Sequence, residues 1–187
     1  MRRNLRYRII SVVVGIYVGW AQGTYADAVL DWNTHASTAS VGVAQKGPPL
    51  VALDLAFVHT AIYDAVNAIA GYPFEPYGIT PEVITPASPE AATAAAAHAV
   101  LVALFPAQQA DLDAKYAASL ALIPDGPAKT NGIVVGHDTA AGILTLRIND
   151  RRPASVPYTP GSSPGVWMPT PPGLLPAAVP QVAIVVP

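Results

Sequence analysis

The stretch Leu50 to Ala70, LVALDLAFVHTAIYDAVNAIA, leaves this chain little choice of architecture. Wrapped at about 3.6 residues per turn, it places Val51, Leu55, Val58, Ile62, Val66 and Ile69 on one broad apolar face, and Leu53, Phe57, Ala61 and Ala68 on a second. Between them runs a narrow polar strip in which His59, Tyr63 and Asn67 follow one another at helical spacing, with Thr60 and Asp64 beside them. A helix that is apolar on two sides and has no Lys, Arg or Glu must be buried between neighbours. The stretch therefore predicts a central helix inside a larger helical body.

The composition agrees. Apolar residues make up 52% and charged residues 12% of the 187, which is too apolar for a disordered chain and, being rich in alanine, points to packed helices rather than sheets. Three Phe and three Trp are few large anchors, so the helices are expected to pack closely through alanine. The absence of cysteine excludes disulfides, thiolate metal sites and a cysteine nucleophile.

Arg2, Arg3, Arg6 and Arg8 precede an apolar run from Ile9 to Ala21, and small residues follow around Gly23 and Ala26. These are the basic, apolar and cleavage regions of a secretory signal, so residues 1–26 are read as a signal peptide cut after Ala26, and the protein as periplasmic or secreted. The run of about 13 residues is shorter than a bilayer span, so no stable membrane span is expected once it is removed. Four of the ten Lys and Arg leave with the leader and none of the twelve Asp and Glu, so the mature chain carries 6 − 12 = −6. That balance argues against a nucleic-acid partner.

The rest divides into a helical domain, residues 27–150, and a Pro/Gly-rich tail or linker, residues 151–187. A short helix is expected over Asp27 to Ser40, with Val29, Leu30 and Trp32 on its apolar side, and then a loop to Pro49. Gly71-Tyr72-Pro73 ends the central helix. Ser88 as cap, Pro89 and Glu90 open an alanine-rich helix to Leu104, which Phe105-Pro106 breaks. Ala107 to Ile123 forms the next helix, with Leu112, Tyr116, Leu120 and Ile123 on one face. Lys129 to Asn149 forms the last, with Ile133, Val134, His137, Ala140, Ala141, Leu144 and Ile148 on one face. The short loops imply antiparallel neighbours in a bundle. Ten of the twenty prolines fall in residues 153–187, so the tail is expected to hold no regular element and to act as a linker or as an arm on something outside the chain.

His35, His59, His98 and His137 fall one per helix, outside metal-ligand spacings, and no metal or cofactor is expected in this chain. His137 reads as a hydrogen-bonded core residue, and His98 as surface or interface. The constellation of His59, Tyr63, Asp64 and Asn67 has two readings. It is either a buried acid/base site with His59 oriented by Asp64 or Tyr63, or a hydrogen-bonded strip that fixes the helix and ties down adjacent loops. The residues Pro160 to Gly165 lack the Lys and helix of a phosphate loop, and Ser37 and Ser40 lack a nucleophile-elbow frame.

Several blocks together carry a family resemblance: His59 to Ile69, Ser88-Pro89-Glu90-Ala91, Leu104 to Gln108, Ile123 to Gly126, and Val156 to Pro172 including Trp167. The chain from about Ala28 to Gln181 resembles the N-terminal half of bacterial vanadium-dependent haloperoxidase-like proteins, which belong with the type 2 phosphatidic acid phosphatases (PAP2 superfamily). The resemblance implies an all-α, two-bundle fold of which this chain is one half. It also implies that the active site, with its vanadate or phosphate pocket, lies in a second bundle toward the C-terminus. That pocket uses a Lys, an Arg-Pro pair, a Pro-Ser-Gly-His stretch and an Arg followed by a His, and none of these motifs occurs here as a set.

The expected protein is therefore an exported, non-catalytic helical half, truncated after Gln181 and inactive alone, with a complementary helical domain or a second copy as partner. Its second apolar face, around Leu53 and Phe57, would receive the missing half. The alternative is a self-sufficient exported binding or scaffold module that uses the Pro-rich tail as its contact arm.

Overall fold

The computed structural model describes residues 25–186. These form an all-α protein of five helices: α1 (Tyr25–Ser37), α2 (Pro48–Ile69), α3 (Pro89–Leu104), α4 (Gln109–Ala121) and α5 (Pro127–Leu146). No strand occurs among the described residues. Most of the proposed leader lies outside them, and Tyr25 and Ala26 form the start of α1.

The local start signals operate as written in the sequence. Pro48 and Pro49 occupy the first positions of α2, where a missing N–H costs nothing. The Ser88 hydroxyl accepts from Ala91 N at 3.2 Å and caps α3. At Phe105-Pro106 the chain turns by 119° through a short 3-10 segment into α4. The first helix corrects its expected boundary: α1 passes into a π-helical turn, Thr38–Val43, that buries Ala39 and Ser40. Trp32 is fully buried, but Leu30 is 61% exposed and does not belong to the apolar side of α1.

The most enclosed helix is α3 rather than α2. It packs against all four others, and Ala91 to Ala97 are buried without interruption, followed by Val100 and Leu101. A run of alanines has no apolar periodicity, so the sequence drew attention to the larger residues of α2. One side of α2 stays open, along His59, Tyr63 and Ala70.

The buried face of α5 is also different from the expected one. Gly132, Val135, Gly136, Thr139, Ala140 and Ile143 point inward, whereas Val134 and Ile148 are exposed and His137 lies on the solvent side. The glycines cause the shift. A Cβ at Gly132 would stand 2.3 Å from the Ser88 carbonyl oxygen, and one at Gly136 would stand 2.4 Å from that of Ala92. The two helices thus touch backbone to backbone, Gly132 and Gly136 lying against the backbone of Ser88, Ala92 and Ala96 with the Ala91 and Ala95 methyls beside them.

The tail is irregular apart from a 3-10 turn at Pro180–Ile184, a short element the sequence reading omitted. It is bonded to the rest of this chain near both of its ends. Arg152 reaches Asp54 at 3.0 Å, and Val186 N donates to Asp150 O at 2.9 Å. On the second face of α2, Phe57, Ala61 and Ala68 are buried within the bundle. Leu53 lines a cavity of about 200 Å³ with Val185 and Val186.

Candidate functional site

The polar strip of α2 is held almost entirely by loops of the same chain. Asp64 is fully buried, and its two oxygens accept three consecutive backbone N–H groups: Tyr77 at 2.7 Å, Gly78 at 3.0 Å and Ile79 at 2.9 Å. Asn67 closes a two-way pair with Phe74, its amide donating to Phe74 O at 2.8 Å while its oxygen accepts from Phe74 N at 3.2 Å. The Tyr63 hydroxyl donates to Glu75 O at 2.7 Å. Two successive turns of helix thereby shape the connection that follows Gly71.

His59 is not part of that arrangement. Its Nε2 lies 2.9 Å from Asn33 Oδ1 on α1, and neither Asp64 nor Tyr63 orients it. The four residues share a helix face without forming an acid/base unit. Their geometry matches the hydrogen-bonded strip.

A second buried carboxylate, Asp54, went unremarked in the sequence. It is 2% exposed, accepts from Ser40 Oγ at 2.7 Å, and pairs with Lys46 at 2.8 Å and Arg152 at 3.0 Å. Lys46 also lies over the Phe105 ring, and Arg152 over Phe57, each 4.6 Å from the ring centroid. Both cations are held twice, by charge and by an aromatic face. The only sequence signal was an acid at the core side of an apolar helix with no cation one turn away.

The other histidines converge although they are far apart in sequence. His98 Nε2 lies 2.7 Å from Asp113 Oδ1, and because a carboxylate only accepts, this nitrogen carries the proton. The His98 ring stacks on Tyr116 at 4.4 Å and meets Trp32 edge-on at 6.4 Å. His35 abuts the other side of Trp32 at 5.2 Å, and His137 abuts Tyr116 at 6.2 Å. His98 is thus a partly buried member of this cluster, and His137 is a peripheral one rather than a core residue. Trp32 Nε1 and His98 Nδ1 are buried without a hydrogen-bond partner among the described residues. No group of three or more His, Asp or Glu gathers in metal-binding geometry among the described residues.

The cluster gives the fold a pH dependence. Partial burial, followed by nearby Lys115, holds the His35 pKa below its ordinary 6.5, against the opposing pull of Asp31 and Asp111. Partial burial and then His98 likewise lower that of His137, with Asp138 opposing. Both groups bind protons less readily when folded than when unfolded. Their contribution is complete above the unfolded value near 6.5 and is lost as pH falls from there through the folded values. Urea midpoints should therefore fall between pH 7.5 and 5.5, and the double variant His35→Gln/His137→Gln should flatten that slope.

The remaining sequence candidates stay apart. Ser40 serves Asp54, and the Pro160–Gly165 segment closes only a turn in which Val166 N donates to Ser163 O at 3.1 Å. At 22 residues, α2 is long and apolar enough by length and composition to cross a membrane, yet its two carboxylates are bonded inside the bundle. Compared with known proteins, the chain matches no family model, no curated sequence and no solved structure.

Proposed function

We propose that this chain is the exported, non-catalytic helical half of a phosphatase- or haloperoxidase-like fold, and that it is inactive by itself. The observation that carries the reading is the use of Asp64. The one carboxylate beside His59 spends both oxygens on the N–H groups of residues 77–79, so it shapes a loop instead of polarising the imidazole. In the resembled family the phosphoester or halide chemistry belongs to a second bundle, and vanadate or phosphate would bind there. The net charge of the mature chain makes a helical domain, or a second copy, a better partner than nucleic acid.

Purified chain should show neither phosphomonoester hydrolysis nor vanadate-dependent halide oxidation. Robust turnover that disappears in His59→Ala, with the circular dichroism spectrum unchanged, overturns the reading and returns the site to α2. A second reading, a self-sufficient binding module, is favoured by the tail's own bonds to Asp54 and Asp150. A single cooperative thermal transition in a soluble monomer supports the module. Aggregation with strong binding of an apolar dye supports the half-fold.

A further inference from the structure

Arg152 and Val186 tie the tail to the bundle near its two ends, and between them residues 158–176 are exposed except at Gly161 and Pro169. Residues 153–186 contain no Asp, Glu, Lys, Arg or His. Yet Tyr158, Val166, Trp167, Met168, Leu174 and Leu175 are all exposed there, Trp167 by 44% and Leu175 by 74%. On a surface that faces only water about a quarter of the residues carry charge. Here none does, so these large apolar side chains have no charged rim to hold them in water.

The apolar groups are gathered rather than scattered. Tyr158, Trp167 and Leu175 line one open cavity of about 760 Å³. The Tyr158 ring meets that of Trp167 edge-on at 5.5 Å, and its hydroxyl donates to Trp167 O at 3.3 Å. Two turns, closed by Val166 N on Ser163 O at 3.1 Å and by Leu174 N on Thr170 O at 3.0 Å, present Trp167 and Leu175 immediately after them. The ten prolines of residues 153–187 also remove ten N–H groups that would otherwise have to be desolvated at an apolar boundary. Tryptophan and tyrosine beside leucine and methionine, with no charge to desolvate, suit the interface of a lipid bilayer.

Charge selects the kind of lipid. Among the described residues six Lys and Arg stand against twelve Asp and Glu, 6 − 12 = −6, so an anionic surface would repel the body of the protein. At the root of the tail Arg147 and Arg152 are bonded to Val186 O and Asp54, and Arg151 is exposed beside them. We propose that residues 158–176 dock the protein on a zwitterionic phospholipid bilayer, with Trp167, Leu174 and Leu175 inserted at the headgroup boundary and the helical bundle outside. The segment lies on the surface and does not span it. The docking involves no catalytic group and is independent of the phosphatase-like reading.

The test uses the full 187-residue chain carrying Trp20→Phe, which leaves the fully buried Trp32 and the exposed Trp167 as fluorophores. Phosphatidylcholine vesicles brominated on their acyl chains should quench its emission, and Trp167→Phe should remove that quenching. The paired changes Leu174→Asp and Leu175→Asp should reduce it several-fold with the circular dichroism spectrum unchanged, and the milder Leu175→Ala should reduce it less. Because no charge takes part, added salt should leave the quenching intact. Absence of quenching, quenching indifferent to the leucine changes, or quenching seen only with phosphatidylserine and lost in salt overturns the proposal. So does a dimer that shields Trp167 from iodide before vesicles are added, which would assign the patch to a second copy of the chain.

Discussion

Gly136→Ala is expected to destabilise the protein by about 1–3 kcal/mol, read as a lower urea midpoint at unchanged slope. Inside an ordinary helix the same change stabilises by roughly 0.5–1 kcal/mol, because glycine is the more flexible residue when unfolded. The sign reverses here because the new Cβ would meet the Ala92 carbonyl oxygen at 2.4 Å and Ala95 Cβ at 2.8 Å. Backbone cannot rotate away as a side chain can, so α3 and α5 would have to separate and loosen the contacts of Val135, Thr139 and Ile143 with them. Gly142 on the same helix provides the control. The three atoms nearest its added Cβ all belong to the Ile79 side chain, which can shift where backbone cannot, so Gly142→Ala should cost clearly less. Equal effects at the two positions would refute the backbone-contact explanation.

Asp64→Ala is expected to cost about 3 kcal/mol, since it removes a fully buried carboxylate that accepts from three consecutive N–H groups. The loss should appear first in the connection after α2: exchange of the Tyr77, Gly78 and Ile79 amides should accelerate more than that of α3 amides. Asp64→Asn keeps one oxygen acceptor and should recover part of the stability. If Asp64→Ala leaves those amides protected, the carboxylate does not organise the loop.

The helices were legible wherever their signals are local. Ser88-Pro89-Glu90 announces α3 because a cap, a fixed φ and a first-turn acid all act within one turn, and the same holds for Pro48-Pro49 in α2. The packing was less legible, because it depends on what is small. Gly132 and Gly136 look like weak points in a helix until Ala91 and Ala95 are seen against them, and the alanines of α3 have no period from which a buried face can be read. The candidate site was legible only as a set of residue types. His59, Tyr63, Asp64 and Asn67 share a strip, as their spacing requires, but each bonds to a different partner. The His98, Tyr116 and Trp32 cluster joins three helices, and no spacing within one helix could announce it.

The pairing of Asp54 with Arg152 spans 98 positions, whereas Ser40 and Lys46 lie only 14 and 8 positions away. Ser40 and Lys46 can reach Asp54 across a single short connection, but Arg152 reaches it only where α3, α4 and α5 have brought the start of the tail back to α2. The carboxylate thus ties the two ends of the described chain together, and any change that displaces α5 should be felt at Asp54.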